Sequence, residues 1–496
     1  MECVACFDIG TTSIKGVLIP KSGATLGAAT VPIKTYNLDG GYVEQDTQSW
    51  WDGIRDILRI WKADMFSAVT VSAVVMSGQM QDVIPIDKDA EPVRRAMLYS
   101  DSRADEQADQ IICKLGYDTL TSATQNRFDG TVPLAKLLWF KQHEKALYDN
   151  TDKVLFSPKD YIIRKLTGAN VADPVASATC GCMDLGKRKW EVHWLGQLEL
   201  DSGMLPTIMQ PHEAAGFVTE DASRVTGLDA GTPVLCGAGD AGAAAMGAGI
   251  ISQDDVYMYF GTTGWVAMAT EHIKNKHLNL FHFAHMIPDK YISSASILGA
   301  GNVHKWVASL VKSTGLDIDA SYARIESAVQ TAPAGSRGVL FLPYLYGERC
   351  PVTESRQTAC FIGITPNTRV DDMLRSTLEG IAYSLKQSIA LLEMKKPLKS
   401  VKLYGGGGKS KALCQIISDI CGTDVLVPND SEFLPSLGIA SAAFIYLGWV
   451  RDHKEFADKY VNAGIENHYS PSKGNASVYA KGFEKYKRIY PAIKDI

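Results

Sequence analysis

Short runs of glycine, hydroxyl residues and single acids carry most of the chemistry this sequence could do. Asp8-Ile9-Gly10-Thr11-Thr12-Ser13 joins two apolar runs. A glycine beside hydroxyl residues lets a ligand approach the backbone and offers N–H and O–H donors to phosphate oxygens. Asp8 stands where the first run ends. A carboxylate beside phosphate is useful when a magnesium ion lies between them. Lys15 could add positive charge. The plainer reading is a polar hairpin. The pattern returns about half a chain later as Gly261-Thr262-Thr263, with Tyr259 where Asp8 would be. Two facing hairpins that hold phosphate need only one metal-binding acid.

Asp240 stands alone among small residues in Gly237-Ala238-Gly239-Asp240-Ala241-Gly242. At a helix N-terminus its anion is favoured, and it could accept a proton from an attacking hydroxyl. It could equally be a helix N-cap. Gly405 to Gly408, then Lys409 and Ser410, invites a P-loop reading. That motif needs glycine at position 403, which is Leu403, so the reading fails. The turn could still admit an adenosine, or simply allow a helix to pack closely. Ser77-Gly78-Gln79-Met80-Gln81-Asp82 and Tyr99-Ser100-Asp101-Ser102-Arg103 are dense in groups able to bind hydroxyls, as polyol recognition requires.

Other clusters carry less. Cys3 and Cys6 have no second pair, and Cys180 and Cys182 are too close together for a four-ligand zinc site. His277, His282 and His285 lack an acid at ligand spacing. Lys187-Arg188-Lys189 reads as a solvated turn, and the sequon Asn475-Ala476-Ser477 matters only outside the cytoplasm.

The elements that position these residues alternate in type. Val4 to Phe7, Ile14 to Ile19 and Ala28 to Ile33 read as a β-meander, and Val69 to Met76 as a buried strand. Leu134 to Lys145 and Asp160 to Leu166 read as helices, the second closed by Gly168. In the second half, Val256 to Phe260, Trp265 to Ala269 and Val401 to Tyr404 read as strands, and Asp371 to Leu392 and Lys411 to Cys421 as helices. Two strand–turn–strand units with the same turn residues suggest an internal duplication. Alternating strands and helices imply α/β layers. The boundary falls near residues 249–253, giving domains 1–249 and 250–496 packed around a cleft.

The bulk numbers are consistent with this. The chain has 496 residues, 46% of them hydrophobic and 21% charged, and a net charge of −5. That is the composition of a multidomain globular protein. It argues against nucleic acid or an anionic membrane as partner. Scattered cysteines, no run of ~18 apolar residues and no basic-then-apolar leader fit a cytoplasmic setting.

Taken in order, the motifs resemble the FGGY carbohydrate kinases of the actin/hexokinase/Hsp70-type ATPase superfamily. DIGTTSIK, SGQMQDVIPID, LYSDSRADEQ, PKDYIIRKLTG, GAGDAGAAAMGAG, FGTTGWV, FLPYLYGERCP and GGGGKSKALCQIISDI each have family counterparts, from about Cys3 to Trp449. CFIGITPNTRVDDMLRSTLE fits the family's C-terminal signature. The resemblance implies two RNase H-like α/β domains flanking a nucleotide cleft, ATP and Mg2+ as cofactors, and phosphorylation of a sugar hydroxyl. Asp240 would be the general base and Asp8 the magnesium-side acid. Met80, Gln81, Asp101 and Asp240 would contact the sugar. Thr11, Thr12, Ser13, Lys15, Gly261, Thr262, Thr263, Gly301, Lys305, Gly406, Gly407 and Ser410 would serve the nucleotide. The partners implied are a small sugar and ATP, with a homodimer left open.

The overall motif style favours D-xylulose as acceptor, giving D-xylulose 5-phosphate. Gluconate, ribulose, another pentulose or a polyol remain alternatives. Xylulose kinases usually carry histidine where this chain has Gln81, and glycerol kinases have Arg-Glu at Met80-Gln81. The competing class is a catalytically silent sugar- or nucleotide-binding regulator.

Overall fold

In a computed structural model, residues 1–273, 279–354, 356–428, 433–461 and 464–496 are described. Two seven-stranded mixed sheets organise them. The first is built on the strand Glu2–Ile9, which runs parallel to Thr70–Gly78 and antiparallel to Ser13–Pro20. Leu26–Pro32 extends it on one side, Pro233–Leu235 and Ala214–Phe217 on the other.

The second sheet repeats the plan. Val256–Phe260 is parallel to Ser400–Tyr404 and antiparallel to Gly264–Thr270. Tyr291–Ile297 then takes the place of Leu26–Pro32, and Asp424–Pro428 and Ile465–Tyr469 take the places of the other two. Six strands thus recur in the same order and orientation, as expected of a duplication. Each GTT turn caps the hairpin at the end of its sheet's central strand. There it sits beside the C-terminal ends of parallel strands, where open α/β sheets bind ligands.

Alternation along Glu2–Ile9 splits its side chains between two cores. Cys3, Ala5, Phe7 and Ile9 pack with Trp50, Ile54 and Trp61 of the helix Thr47–Asp64. Val4 and Cys6 face the opposite core. A spacing of three puts Cys3 and Cys6 on opposite faces of the strand, so they cannot share a metal. The core around Val4 and Cys6 also holds Ile439, Ala440, Ala443 and Phe444 of the helix Leu434–Tyr446. Late in sequence, that helix covers the first sheet and packs against the helix Asp240–Gly247. Gly438 makes this close crossing feasible, because a Cβ there would lie 1.9 Å from the Ala243 carbonyl oxygen.

The expected helices are present with small shifts. Asp160 lies inside Pro158–Thr167, which ends on Gly168 in the left-handed region. The helix read to Lys145 stops at His143, where Glu144 leaves helical geometry and a second short helix begins. No helix among the described residues is long and apolar enough to cross a membrane.

Candidate active site

A cavity of about 1020 Å³ opens between the two sheets. Asp8, Gly10, Lys15 and Asp240 line it from the first half, and Tyr259, Trp265, Gly405, Gly406 and Gly408 from the second. Asp8 ends its strand facing this space. The Ser77 hydroxyl donates to its Oδ1 at 2.7 Å. Burial raises the Asp8 pKa, while Ser77 and the Lys15 charge oppose the rise. Opposite, Tyr259 stacks on Trp265 at 4.1 Å, and the Trp265 indole N–H donates to the Tyr257 hydroxyl at 2.9 Å.

Asp240 opens its helix, and the capping position belongs to Gly239. The N-cap reading therefore does not apply. Nor does the helix end hold the carboxylate at low pKa, as the sequence suggests. Burial pushes it up to about 7, with the Asp8 and Asp173 charges adding to the rise and the Ala241 N–H opposing it. A helix terminus contributes roughly 0.3–1 kcal/mol when exposed, too little to offset desolvation beside a second carboxylate. The result is a carboxylate whose affinity for a proton matches neutral pH, as general-base work requires.

The turn bearing Asp240 is anchored from below. Asp173 Oδ1 accepts from the N–H groups of Val175 at 2.8 Å, Ala176 at 3.1 Å and Gly239 at 3.2 Å. Lys159 Nζ lies 2.9 Å from Asp173 Oδ2, donates to the Cys236 carbonyl at 3.1 Å and pairs with Asp160. All three charged side chains are fully buried. One cation between two carboxylates leaves Asp160 raised to about 6, chiefly by burial.

The remaining expected residues fall into three groups. In the first GTT turn the Thr11 hydroxyl donates to Gln79 Oε1 at 2.8 Å, Thr12 is exposed, and Ser13 accepts from the Gly10 N–H at 3.0 Å. In the second, the Thr262 and Thr263 side chains are exposed. Here the Gly261 carbonyl accepts from the Gly301 N–H at 3.0 Å and the Thr262 carbonyl from the Asn302 N–H at 2.9 Å. These bonds tie the turn to the start of the helix Gly301–Lys312, where Lys305 is exposed. Gly406 has open space above its Cα, whereas a Cβ on Gly407 would strike the Phe260 ring.

Two residues are turned to protein partners. Ser410 caps the helix Lys411–Cys421, and its hydroxyl donates to Glu326. Asp101 is fully buried, its oxygens accepting from Arg103 at 2.7 and 2.9 Å and from the Val43 N–H at 2.7 Å. Near the Asp240 turn, Met80 is buried against Gly239, and Gln81 Nε2 donates to the Thr131 hydroxyl at 3.3 Å.

Sequence reasoning passed over Asp82, Lys136, Lys159 and Asp173. Asp82 is fully buried, accepts from the Tyr99 N–H at 3.1 Å, and is raised well above its usual pKa, mainly by burial. The Lys136 and Asp240 charges act on it in opposite directions. Lys136 donates to the Leu98 carbonyl at 2.5 Å and is lowered to about 8, chiefly by burial. Asp82 and Lys159 lie within the SGQMQD and PKD runs, but nothing in those runs signals complete burial. His282 bonds to Ser293 and His285 to the Ile250 carbonyl, both as buried structural residues. His277 lies outside the described residues.

Comparison with known proteins fits this geometry. Residues 3–247 match the N-terminal domain, and residues 256–447 the C-terminal domain, of the FGGY family of carbohydrate kinases. The chain is 28% identical to xylulose kinase of Staphylococcus xylosus, covering 99% of this chain and 100% of that one. It is 26% identical to gluconokinase of Bacillus subtilis (strain 168), over 86% and 84% of the two chains. The crystal structure of ligand-bound xylulose kinase from Lactobacillus acidophilus superposes with a TM-score of 0.91. The two are 24% identical, with 100% of this chain and 99% of that one covered.

Proposed function

The chain belongs to the FGGY family of carbohydrate kinases, ATP-dependent phosphotransferases, and from that premise we propose that it phosphorylates D-xylulose to D-xylulose 5-phosphate with Asp240 as general base. The observation that carries the reading is Asp240 itself. It is a carboxylate raised to about 7 on the wall of the cavity between the two sheets, beside Asp8.

Phosphoryl transfer demands positioning and charge neutralisation more than covalent chemistry. Asp240 takes the proton of the attacking hydroxyl as that oxygen bonds to the γ-phosphorus and ADP leaves. The N–H groups of the two GTT turns and of the Gly405–Gly408 turn supply donors to phosphate. Lys15 adds positive charge on the Asp8 side. Residues 1–249 would then carry the acceptor side and 250–496 the nucleotide side. Asp8 fits Mg2+, a hard cation that keeps several waters and needs only one or two protein carboxylates. When bound, that ion would neutralise phosphate charge.

Similarity to the Staphylococcus xylosus enzyme favours D-xylulose, and similarity to gluconokinase makes gluconate the second reading. The test is ADP release with magnesium-ATP against D- and L-xylulose, D- and L-ribulose, gluconate, glycerol and erythritol. D-xylulose should give the highest kcat/KM. A higher value for another acceptor replaces the substrate assignment. No turnover with any of these acceptors while ATP still binds means either a rarer acceptor or a silent regulator.

A further inference from the structure

The second half of the chain reaches toward Asp240 through Tyr257. This residue stands two before Tyr259 on the strand Val256–Phe260, so both rings lie on one face of the sheet. Tyr257, Tyr259, Trp265 and Asp240 line the same cavity. Tyr257 is 2% exposed and packs in one cluster with Ala244 and Ala245 of the helix Asp240–Gly247. Ala244 stands one turn on from Asp240, on the same face of that helix. The small residues that isolate Asp240 in the sequence thus make room for a tyrosine against the helix that the proposed base opens.

The sense of the Tyr257 hydroxyl is set by its neighbour. An indole N–H can only donate, so the Tyr257 oxygen accepts from Trp265, at 2.9 Å. Trp265 is held in turn by its stack on Tyr259, at 4.1 Å and 15°. The Tyr257 hydrogen has no acceptor within bonding distance among the described residues, and an unpaired buried donor is costly. Asp240 is the converse case: the Ala241 N–H is the one donor to its carboxylate among the described residues. Burial raises the Tyr257 pKa, the Trp265 bond opposes the rise and the Asp240 charge adds to it, so the carboxylate is within electrostatic reach of the hydroxyl. A tyrosine with a hydrogen to give and a carboxylate short of donors line one cavity from opposite halves of the chain.

We propose that Tyr257 is a positioning residue that donates its hydroxyl hydrogen to the Asp240 carboxylate as the two sheets close on bound substrate, with Trp265 fixing the direction of donation. One carboxylate oxygen is then held by the tyrosine, and the other is left to take the proton of the attacking hydroxyl. The inference rests on Asp240 as the base and deepens that reading: the half assigned to the nucleotide also aims the base of the other half. A misaimed base slows the chemical step without loosening either substrate, so the effect belongs in kcat.

Steady-state ADP release with magnesium-ATP and the panel acceptor of highest kcat/KM tests this. Tyr257→Phe should lower kcat at least about tenfold, the loss of one hydrogen bond to a charged group, with both KM values nearly unchanged. Trp265→Phe keeps a ring on Tyr259 but frees the hydroxyl to turn, and should lower kcat by less. In Tyr257→Phe/Asp240→Asn the tyrosine change should cost nothing beyond Asp240→Asn alone, because Tyr257 acts through the carboxylate. Tyr257→Phe/Trp265→Phe removes donor and acceptor together, so it should keep the Tm of the wild type and still show the lowered kcat.

An unchanged kcat in Tyr257→Phe overturns the proposal. So does a loss of kcat matched by a higher KM for ATP and a lowered Tm, or the same loss repeated in the Asp240→Asn background. If Tyr257→Phe does not fold, Tyr257→Phe/Trp265→Phe takes its place under the same criteria. If no panel acceptor turns over, the same variants are compared in ATP hydrolysis, with water as the acceptor whose proton passes to Asp240. Full turnover in Asp240→Asn, or no reaction even with water, overturns the base reading and this inference with it. A sensitive Asp240 with an insensitive Tyr257 overturns this inference alone.

Discussion

Asp240 shows how far residue type alone leads. Its isolation among small residues marks it in the sequence, but its chemistry comes from burial beside Asp8, which appears only when two distant strands meet. Asp240→Asn should lower kcat by at least about 100-fold, the usual scale of general-base catalysis, with ATP affinity measured by titration nearly unchanged. Retained turnover would remove the base assignment. In the wild type, kcat/KM should fall as pH drops below about 7, as Asp240 takes up its proton. Stability should respond in the opposite sense. With the folded pKa above the unfolded value near 3.9, the native state binds more protons between those limits, so this group costs stability as pH rises from about 4 to 7. Asp240→Asn should thus raise Tm at pH 8 and leave it unchanged at pH 3.5, as read by thermal melts at the two values. Asp101 and Ser410 carry the opposite lesson. Their residue types suit ligand binding, yet neighbours no motif foretells already engage them: Arg103 and Val43 for one, Glu326 for the other.

At the scale of elements, close backbone approaches decide what the turns can do. Gly301 lies so near the second GTT turn that a Cβ would sit 2.2 Å from the Gly261 carbonyl oxygen. Gly301→Ala must push the helix Gly301–Lys312 away from that turn. It should cost roughly 1–3 kcal/mol and raise the KM for ATP while sparing the KM for sugar. Equal changes in both would argue against a nucleotide role for this helix start. The turn below Asp240 depends on charge as well as space. Removing one partner of a buried ion pair costs about 3–5 kcal/mol, so Lys159→Met, which leaves Asp160 and Asp173 unpaired, should lower the urea midpoint sharply. A surface-like loss below ~0.5 kcal/mol would show that the carboxylates accept protons instead. The strands that frame these turns were legible because they are apolar, β-branched and bounded by glycine. The Lys159–Asp160–Asp173 cluster was not, because a lysine beside a single acid reads as an ordinary solvated face until the fold buries it and brings Asp173 to it.

The whole molecule is two copies of one sheet plan joined by an exchange the linear sequence conceals. The repeated GTT hairpins betray the duplication. Periodicity shows that Leu434–Tyr446 is apolar on every side, but it cannot say which sheet the helix covers. Its place over Val4, Cys6, Ala73 and Val75 means that the first sheet borrows part of its core from the last fifth of the chain. The division into domains 1–249 and 250–496, which we propose for function, is therefore not a division into independent folding units. A fragment 1–249 would expose the face that Ile439, Ala440, Ala443 and Phe444 bury, and each such side chain contributes roughly 1–3 kcal/mol when covered. Expressed alone, the fragment should bind a dye for exposed apolar surface and lack fixed near-UV dichroism. A synthetic segment spanning residues 433–461 should abolish the dye binding and restore the dichroism. In the full chain, Phe444→Ala should cost about 3–5 kcal/mol and lower the stability of both halves in one calorimetric transition. Two separate transitions, with only one displaced by the substitution, would show that the halves fold independently. Because this helix also packs against the helix that Asp240 opens, a shift of one half against the other would reach the proposed base directly, through the contact at Gly438.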